Sequence, residues 1–259
     1  MELSIHLVPL GWEIDRAVLP LRTMHPQQVH LFCNPESHPF QLHFYRQVIS
    51  HLDNLGIAHN LVQVDADKDL KGLVRELSRV MRAEIEAGNR VYVNISASGR
   101  IGAVASSLVS MAHLGNHGKA YYVRPERYDP SDEERMRHGL SVGMIGDPVD
   151  IPLFPLRLPS RQGQLILETL AKRGGSARYS DLFKSLHQAG VEGYIEVQRE
   201  TSRKDRGNLT VKLTKTILRP LLDVGLITTE KESRNTLVRL TDSGEYMVCL
   251  LAEPLKGPQ

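Results

Sequence analysis

VYVNISASGRIG, residues 91–102, is the stretch on which the reading of this chain turns. Val91, Val93 and Ile95 alternate with polar or aromatic residues, a short strand; Asn94 to Gly99 are small and turn-forming; from Arg100 the chain can wind into a helix. A strand that passes through hydroxyls and glycine straight into a helix leaves the first helical N–H groups unpaired at the strand end, and such groups attract anions. Ser96 and Ser98 add hydroxyl donors, Gly99 lets a ligand approach the backbone, and Arg100 offers a guanidinium suited to phosphate. The GK[ST] ending of a Walker A loop and the GxGxxG spacing are both missing. Without a ligand, the same residues read as an ordinary N-cap, because Ser and Gly are common at any strand–helix turn.

To the N-terminal side, Leu3, Ile5 and Leu7 alternate as a first strand that ends in a second glycine loop, PLGWE at 9–13. Its Trp12 is the one tryptophan of the chain. A ring beside a glycine turn can stack on a base or simply pack. Apolar runs at 29–33, 57–64, 90–95 and 120–123 are further strands. Between them Phe40, Phe44, Val48 and Leu52, and then Leu70, Leu73, Val74, Leu77, Met81 and Ile85, trace helical faces, with Asp67 as the expected cap of the second. Small residues at 101–114 make a helix able to lie close on a sheet. This alternation predicts an α/β fold, a Rossmann-like, mostly parallel sheet with helices on both faces, and places ligands at the carboxyl ends of the strands. Residues 126–138 read as a charged surface helix. Prolines at 148, 152, 155 and 159 forbid a helix and predict an extended linker over 148–159.

Beyond the prolines the order is helix (164–172), helix (180–188, with Ser180 as cap), helix (208–224), strand, charged tip (228–236), strand, and a last helix capped by Asp242. That is the order of a winged helix-turn-helix. The segment RKDRGNLTVKLTKTILR at 203–219 places Lys212, Lys215 and Arg219 at i, i+3, i+7, one helical face, while Leu209, Leu213, Ile217 and Leu221 recur every four residues on another. A solvated, salt-laced helix has this composition. So does a helix that packs on a core while offering cations to a phosphate backbone. On the second reading Arg203, Lys204, Arg206, Lys212, Lys215 and Arg219 meet phosphates, Asn208 and Thr210 reach base edges or phosphates, and Lys231 and Arg234 charge the wing.

Charge distribution agrees. Residues 1–159 hold 16 Lys and Arg against 18 Asp and Glu, and residues 160–259 hold 16 against 12, so a polyanion belongs with the C-terminal part. No stretch is long and apolar enough to span a membrane, and the N-terminus has no basic region ahead of an apolar core. Cys33 and Cys249 cannot build a disulfide framework and fit buried thiols in a cytoplasmic protein. The 11 histidines form no metal-ligand spacing.

A short first strand ending in VPLG (8–11), a NISASG loop (94–99) after the fourth strand, and a following winged helix resemble the CARF (CRISPR-associated Rossmann fold) transcriptional regulators, many of them archaeal. The resemblance covers nearly the whole chain as architecture, residues 124–150 excepted. It implies a sensing domain at 1–147, the linker at 148–159 and a DNA-binding domain at 160–259. It also implies that Gly11, Trp12, Asn94, Ser96, Ala97, Ser98, Gly99 and Arg100 contact a cyclic oligoadenylate, cyclic tetra-adenylate in the first instance, with no metal or other cofactor. Such a ring is itself symmetric, so a homodimer two-fold presents each half with the same groups. Duplex DNA is then the second partner, in transcription regulation for antiviral defence. Two alternatives stand beside this reading. One is a metal-independent ring nuclease using Ser96, Ser98, Arg100 and Lys119. The other is a winged-helix regulator of some other nucleotide or metabolite.

Overall fold

The computed structural model describes residues 2–66, 68–194, 202–232 and 235–253. The chain divides into two compact units, one running to Leu156 and including the chain from Ala252, the other spanning Arg157–Leu251.

The first unit runs β1 (Ser4–Pro9), α1 (Asp15–Met24), β2 (Gln28–Cys33), α2 (Pro39–Asn54), β3 (Ala58–Gln63), α3 (Leu70–Glu86), β4 (Arg90–Asn94), α4 (Arg100–His113), β5 (Gly118–Tyr122), β6 (Arg127–Tyr128), α5 (Asp132–His138), β7 (Ser141–Val142) and β8 (Val149–Ile151). The main sheet has the order β3-β2-β1-β4-β5-β8. Its first five strands are parallel, and β8 is antiparallel to β5. β8 falls within the proline-rich stretch: Pro148 and Pro152 bracket three residues that keep their N–H groups and pair Val149 with Tyr122 and Ile151 with Ala120. One layer of core packs Val8, Leu31, Phe44, Val48 and Leu52 with α1 residues Ala17, Val18 and Leu21, all buried.

The sequence reading did not anticipate α1, because Pro20 lies inside it. A proline there has no N–H to return to the carbonyl of Arg16, four residues back. That carbonyl accepts instead from the side-chain amide of Asn94, Nδ2 to O 2.8 Å. A residue at the end of β4 thus completes the hydrogen bonding of a helix that follows β1. At α3 the cap is Asp69, whose carboxylate accepts from Gly72 N at 2.8 Å; Asp67, expected in that role, lies outside the described residues. Leu70, which opens the apolar stripe, is the first helical residue, so the cap falls directly before it.

The second unit is a winged helix: α6 (Arg161–Lys172), β9 (Ser176–Arg178), α7 (Tyr179–Gln188), α8 (Arg203–Leu213), α9 (Arg219–Asp223), β10 (Ile227–Glu232), β11 (Asn235–Leu240) and α10 (Asp242–Leu250). β10 and β11 form the wing hairpin, and β9, too short to show a pattern in sequence, pairs with β11. Ile166, Leu170, Leu182, Leu186, Leu213, Leu218 and Val238 are fully buried in one core. Two caps differ from expectation. α7 starts at Tyr179, two residues earlier than a cap at Ser180 requires; Arg178 is its N-cap, closed by the Asp181 carboxylate, which accepts from Arg178 N. Thr241, not Asp242, caps α10, its hydroxyl accepting from Gly244 N at 3.0 Å.

The sequence predicts the long helix over 208–224; the helix is continuous from 203 to 223. A π-turn at Thr214–Leu218 joins α8 to α9. Apolar residues four apart drift by about 40° per step on an α-helix of 3.6 residues per turn, about 120° from Leu209 to Leu221. A π-turn absorbs one extra residue, about 100° of rotation, and returns the stripe to the core. Leu209, Leu213, Ile217 and Leu221 are accordingly all buried. Pro220 favours the same irregularity, since it cannot donate to Thr216.

Candidate functional site

Sheet order reverses between β1 and β4, the place where a doubly wound sheet leaves a crevice at its carboxyl end. The loops after these two strands meet there. Gly11 N donates to Ala97 O at 2.9 Å. A Cβ on Gly11 would stand 3.2 Å from Ser98 Cα and 3.3 Å from Gly99 N, so a side chain there would push the loops apart by a few tenths of an ångström.

Asn94 and Ser96 set the second loop from inside. Asn94 is fully buried; besides donating to Arg16 O it accepts from Ser96 N at 2.9 Å and Ser96 Oγ at 2.7 Å. Ser96 Oγ in turn accepts from Val123 N at 3.0 Å, tying the loop to the end of β5. Ala97 is buried as well. Of the eight expected ligand residues, Asn94, Ser96, Ala97 and Gly11 therefore shape the crevice, while Trp12 and Ser98, half-buried, and Gly99 and Arg100, exposed, stand at its surface. Gly99 is the N-cap of α4 and no side chain caps that terminus, so the first-turn N–H groups are left uncapped at the loop, with exposed Arg100 as the first helical residue. The Ser98 hydroxyl fills the space that a Cβ at Gly102 would need. Lys119 stands apart: it pairs in register with Tyr92, four residues back from Ser96 along the strand, about 13 Å at ~3.3 Å per residue. Its ammonium pairs with Asp150.

Trp12 packs among the rings of His38, Phe40 and Phe44 at centroid distances of 5.3, 5.5 and 6.2 Å. Phe44 is buried, whereas Phe40 is 45 % exposed, so an aromatic surface borders the crevice.

Residues 126–143 dock against the first loop, which the sequence reading did not foresee. Ile14 N donates to His138 O at 3.0 Å and Leu140 N to Trp12 O at 2.9 Å. Gly139 between them has φ +96°, and a Cβ would come within 2.6 Å of Trp12 O. Side chains hold the same contact. Ser141 Oγ donates to Glu13 at 2.8 Å, Asp15 accepts from Gly143 N at 2.7 Å, and His138 Nδ1 lies 2.9 Å from the Asp15 carboxylate. Arg16, buried, donates from Nε to Val123 O at 3.1 Å and stacks 4.8 Å over Tyr122. Burial pushes the Glu13 carboxyl above its ordinary pKa, against the lowering pull of Ser141 and Arg16. The only sequence signal for this cluster is the i, i+3 spacing of Glu13 and Arg16 in a loop read for its glycine and tryptophan.

In the second unit the expected cations divide. Lys212 Nζ donates to Glu192 O at 3.2 Å and lies 4.8 Å over the Tyr194 ring, bracing the turn after α7. Arg219 pairs with Asp223 at 2.8 Å. The π-turn rotates Arg219 about 100° away from the face it would share with Lys212 on a regular helix. Lys215, exposed, has no ion pair among the described residues. Lys204, Arg206 and Asn208 are exposed along α8, which Arg203 opens; the Thr210 hydroxyl donates back to Arg206 O at 2.8 Å. Lys231 is exposed on the wing strand β10, and Arg234 lies outside the described residues.

Among known proteins, the family model of the HFX_2341_N-like N-terminal domain matches residues 4–128, and that of the DUF6293 C-terminal winged helix domain matches residues 162–252. No curated protein matches the sequence. Solved structures similar to the chain include protein VC1899 from Vibrio cholerae (14 % identity, 96 % of this chain and 66 % of that chain, TM-score 0.41). Csm6 from Enterococcus italicus, bound to cyclic hexa-2′-fluoro-hexa-dAMP, is 12 % identical over 86 % of this chain and 55 % of that chain, with TM-score 0.41. Can2 from Sulfobacillus thermosulfidooxidans, in complex with cyclic tetra-adenylate, is 15 % identical over 95 % of this chain and 63 % of that chain, with TM-score 0.39. The chain spans 55–66 % of the length of these three.

Proposed function

We propose that this chain, an HFX_2341_N-like N-terminal domain joined to a DUF6293 C-terminal winged helix domain, is a CARF-type transcriptional regulator that senses a cyclic oligoadenylate and binds DNA. The observation that carries the reading is the closure of two glycine loops at the β1/β4 reversal, beside an α4 N-terminus that no side chain caps and an exposed Arg100. Backbone N–H groups and a guanidinium suit phosphates, and the aromatic surface of Trp12 and Phe40 suits bases.

A two-fold ring asks for a two-fold protein. Support for a homodimer lies on α4, whose sequence carries no charged residue from Ile101 to Ala112 and whose Val104 is 50 % exposed. Leu156 N donates to Met111 O on the same helix, and Phe154, 73 % exposed, extends the apolar surface. This is the stretch IPLFPLRL at 151–158, expected from its composition to cover part of such an interface. Two copies meeting on α4 would bring two Arg100-bearing loops to one ring. In the second unit the helix over 203–223 and the wing hairpin support duplex DNA as partner.

Calorimetry of the full chain with cyclic tetra-adenylate tests the reading. One ring per two chains is expected, with Arg100→Ala weakening affinity by about 1.5–3 kcal/mol where a charge-assisted phosphate contact is lost. No heat with cyclic tetra- or hexa-adenylate removes the ligand class. Equal affinity in the variant removes Arg100. Ring cleavage is the weaker reading, since Ser96 Oγ is engaged by Asn94 and Val123 and Lys119 stands back along β5. Chromatography of the recovered ligand decides it.

A further inference from the structure

A cavity of about 460 Å³ opens in the second unit beside the π-turn. Its size is within the ~300–1,000 Å³ range of small-molecule sites. Leu158, Ile217, Pro220, Leu221, Leu226 and Met247 give it apolar walls. Its hydroxyls are already engaged: Ser160 Oγ accepts from Gly163 N, and Thr216 Oγ1 donates to Lys212 O. Among the described residues lining it, Arg157 is the single ionisable side chain, and it is exposed, as is Val224 on the same cavity. Arg157 and Val224 therefore mark the mouth.

We propose that this cavity is a second ligand site, distinct from the crevice of the first unit, for a small aromatic carboxylic acid whose rings enter between Pro220 and Met247 while the carboxylate meets Arg157. The apolar walls exclude a ligand that needs hydrogen bonds along its length, and the lone cation at the mouth selects an anionic head. The wall formed by Thr216 and Ile217 belongs to the π-turn, with Pro220 just beyond it in α9, and such irregularities recur at functional sites. A ligand seated there touches the helix that carries Lys215.

The test uses the full chain, 2-naphthoate as the probe and neutral 2-naphthamide as its partner, read by the methyl resonances of the methionines. Naphthoate is expected to shift the Met247 methyl, assigned through Met247→Leu, by ring current. Arg157→Gln should weaken naphthoate at least tenfold and leave naphthamide unchanged. Val224→Trp, at an exposed position, should close the mouth to both. A Met247 methyl unmoved by millimolar naphthoate overturns the site. Wild-type binding of both probes in Val224→Trp places the binding elsewhere and overturns it too. Equal weakening of both probes by Arg157→Gln overturns the anionic class. If Val224→Trp does not fold, the Met247 shift together with Arg157→Gln, an exposed substitution, still decides.

Discussion

Asn94 is fully buried, and its amide serves three partners at once: the Arg16 carbonyl, Ser96 N and Ser96 Oγ. Truncating it orphans buried groups, each costing about 1–3 kcal/mol. Asn94→Ala is thus expected to destabilise the first unit by about 2–4 kcal/mol in urea denaturation followed by Trp12 fluorescence, which reports this unit alone because Trp12 is the one tryptophan. A loss under about 0.5 kcal/mol, the range of ordinary surface changes, would show the clasp to be dispensable. His6 gives a prediction in pH. It is fully buried on β1, its Nδ1 3.0 Å from Tyr121 OH and its ring stacked on Tyr92 at 5.0 Å, and its Nε2 has no hydrogen-bond partner among the described residues. Burial lowers its pKa from 6.5 to about 3. In the unfolded chain it takes a proton that the folded chain refuses, so the stability it protects is complete above pH 6.5 and is lost as pH falls towards 3. Glu13, raised by burial, acts in the opposite sense, with a contribution present at low pH and lost as pH rises through its folded pKa. His6→Gln should flatten the fall of the first unit's melting temperature between pH 6.5 and pH 4.5. A slope unchanged from the wild type would assign the acid sensitivity to other groups.

At the scale of elements, Lys212 and Lys215 belong to one helix and to different tasks. Lys212 braces the turn that ends in Tyr194, and Lys215 stands exposed on the π-turn. Lys215→Ala is expected to lower the salt slope of DNA binding by about 0.9, one phosphate contact, with the melting temperature unmoved. Lys212→Ala should lower stability by about 0.5–1 kcal/mol, the worth of a solvent-exposed cation over a ring, in a circular-dichroism melt. The reverse pattern in anisotropy and melting would exchange the two roles. How well each element could be read from sequence follows from where its cause lies. β1 to β5 and α2 to α4 are set by local periodicity and were legible. α1 was not, because the partner that rescues its proline sits 78 positions away. The winged helix was legible in its order, but β9 is ordered by β11, and the docked segment at 126–143 by Glu13 and Asp15, which no local pattern announces. The four-residue apolar spacing of 209–221 reads as a regular helix, just as Phe40 to Leu52 do in α2, so the π-turn at 214–218 was not legible in it. Of the crevice, the two loops could be read; which of their residues face inward could not, because Asn94 and Ser96 look like donors until their partners are known.

For the whole molecule, the apolar outer face of α4 sets the test of assembly. Val104→Asp puts a charge at the middle of that face and should convert a dimer to a monomer in light scattering, with affinity for a two-fold ring lost in parallel. A wild-type monomer at micromolar concentration, with and without ligand, would count against the homodimer. The clasp between Pro20 and Asn94 also bears on how such a chain can change over generations. An asparagine at 94 is harmless beside a regular α1, because the Arg16 carbonyl has two lone pairs and tolerates a second donor. A proline at 20 is not harmless without that amide, because it strands a buried carbonyl. The two substitutions therefore have a permitted order of arrival, amide before proline, and reversion must run the other way. A chimaera that takes its first strand and helix from this chain and a fourth strand without an asparagine at position 94 inherits the debt without the means to settle it.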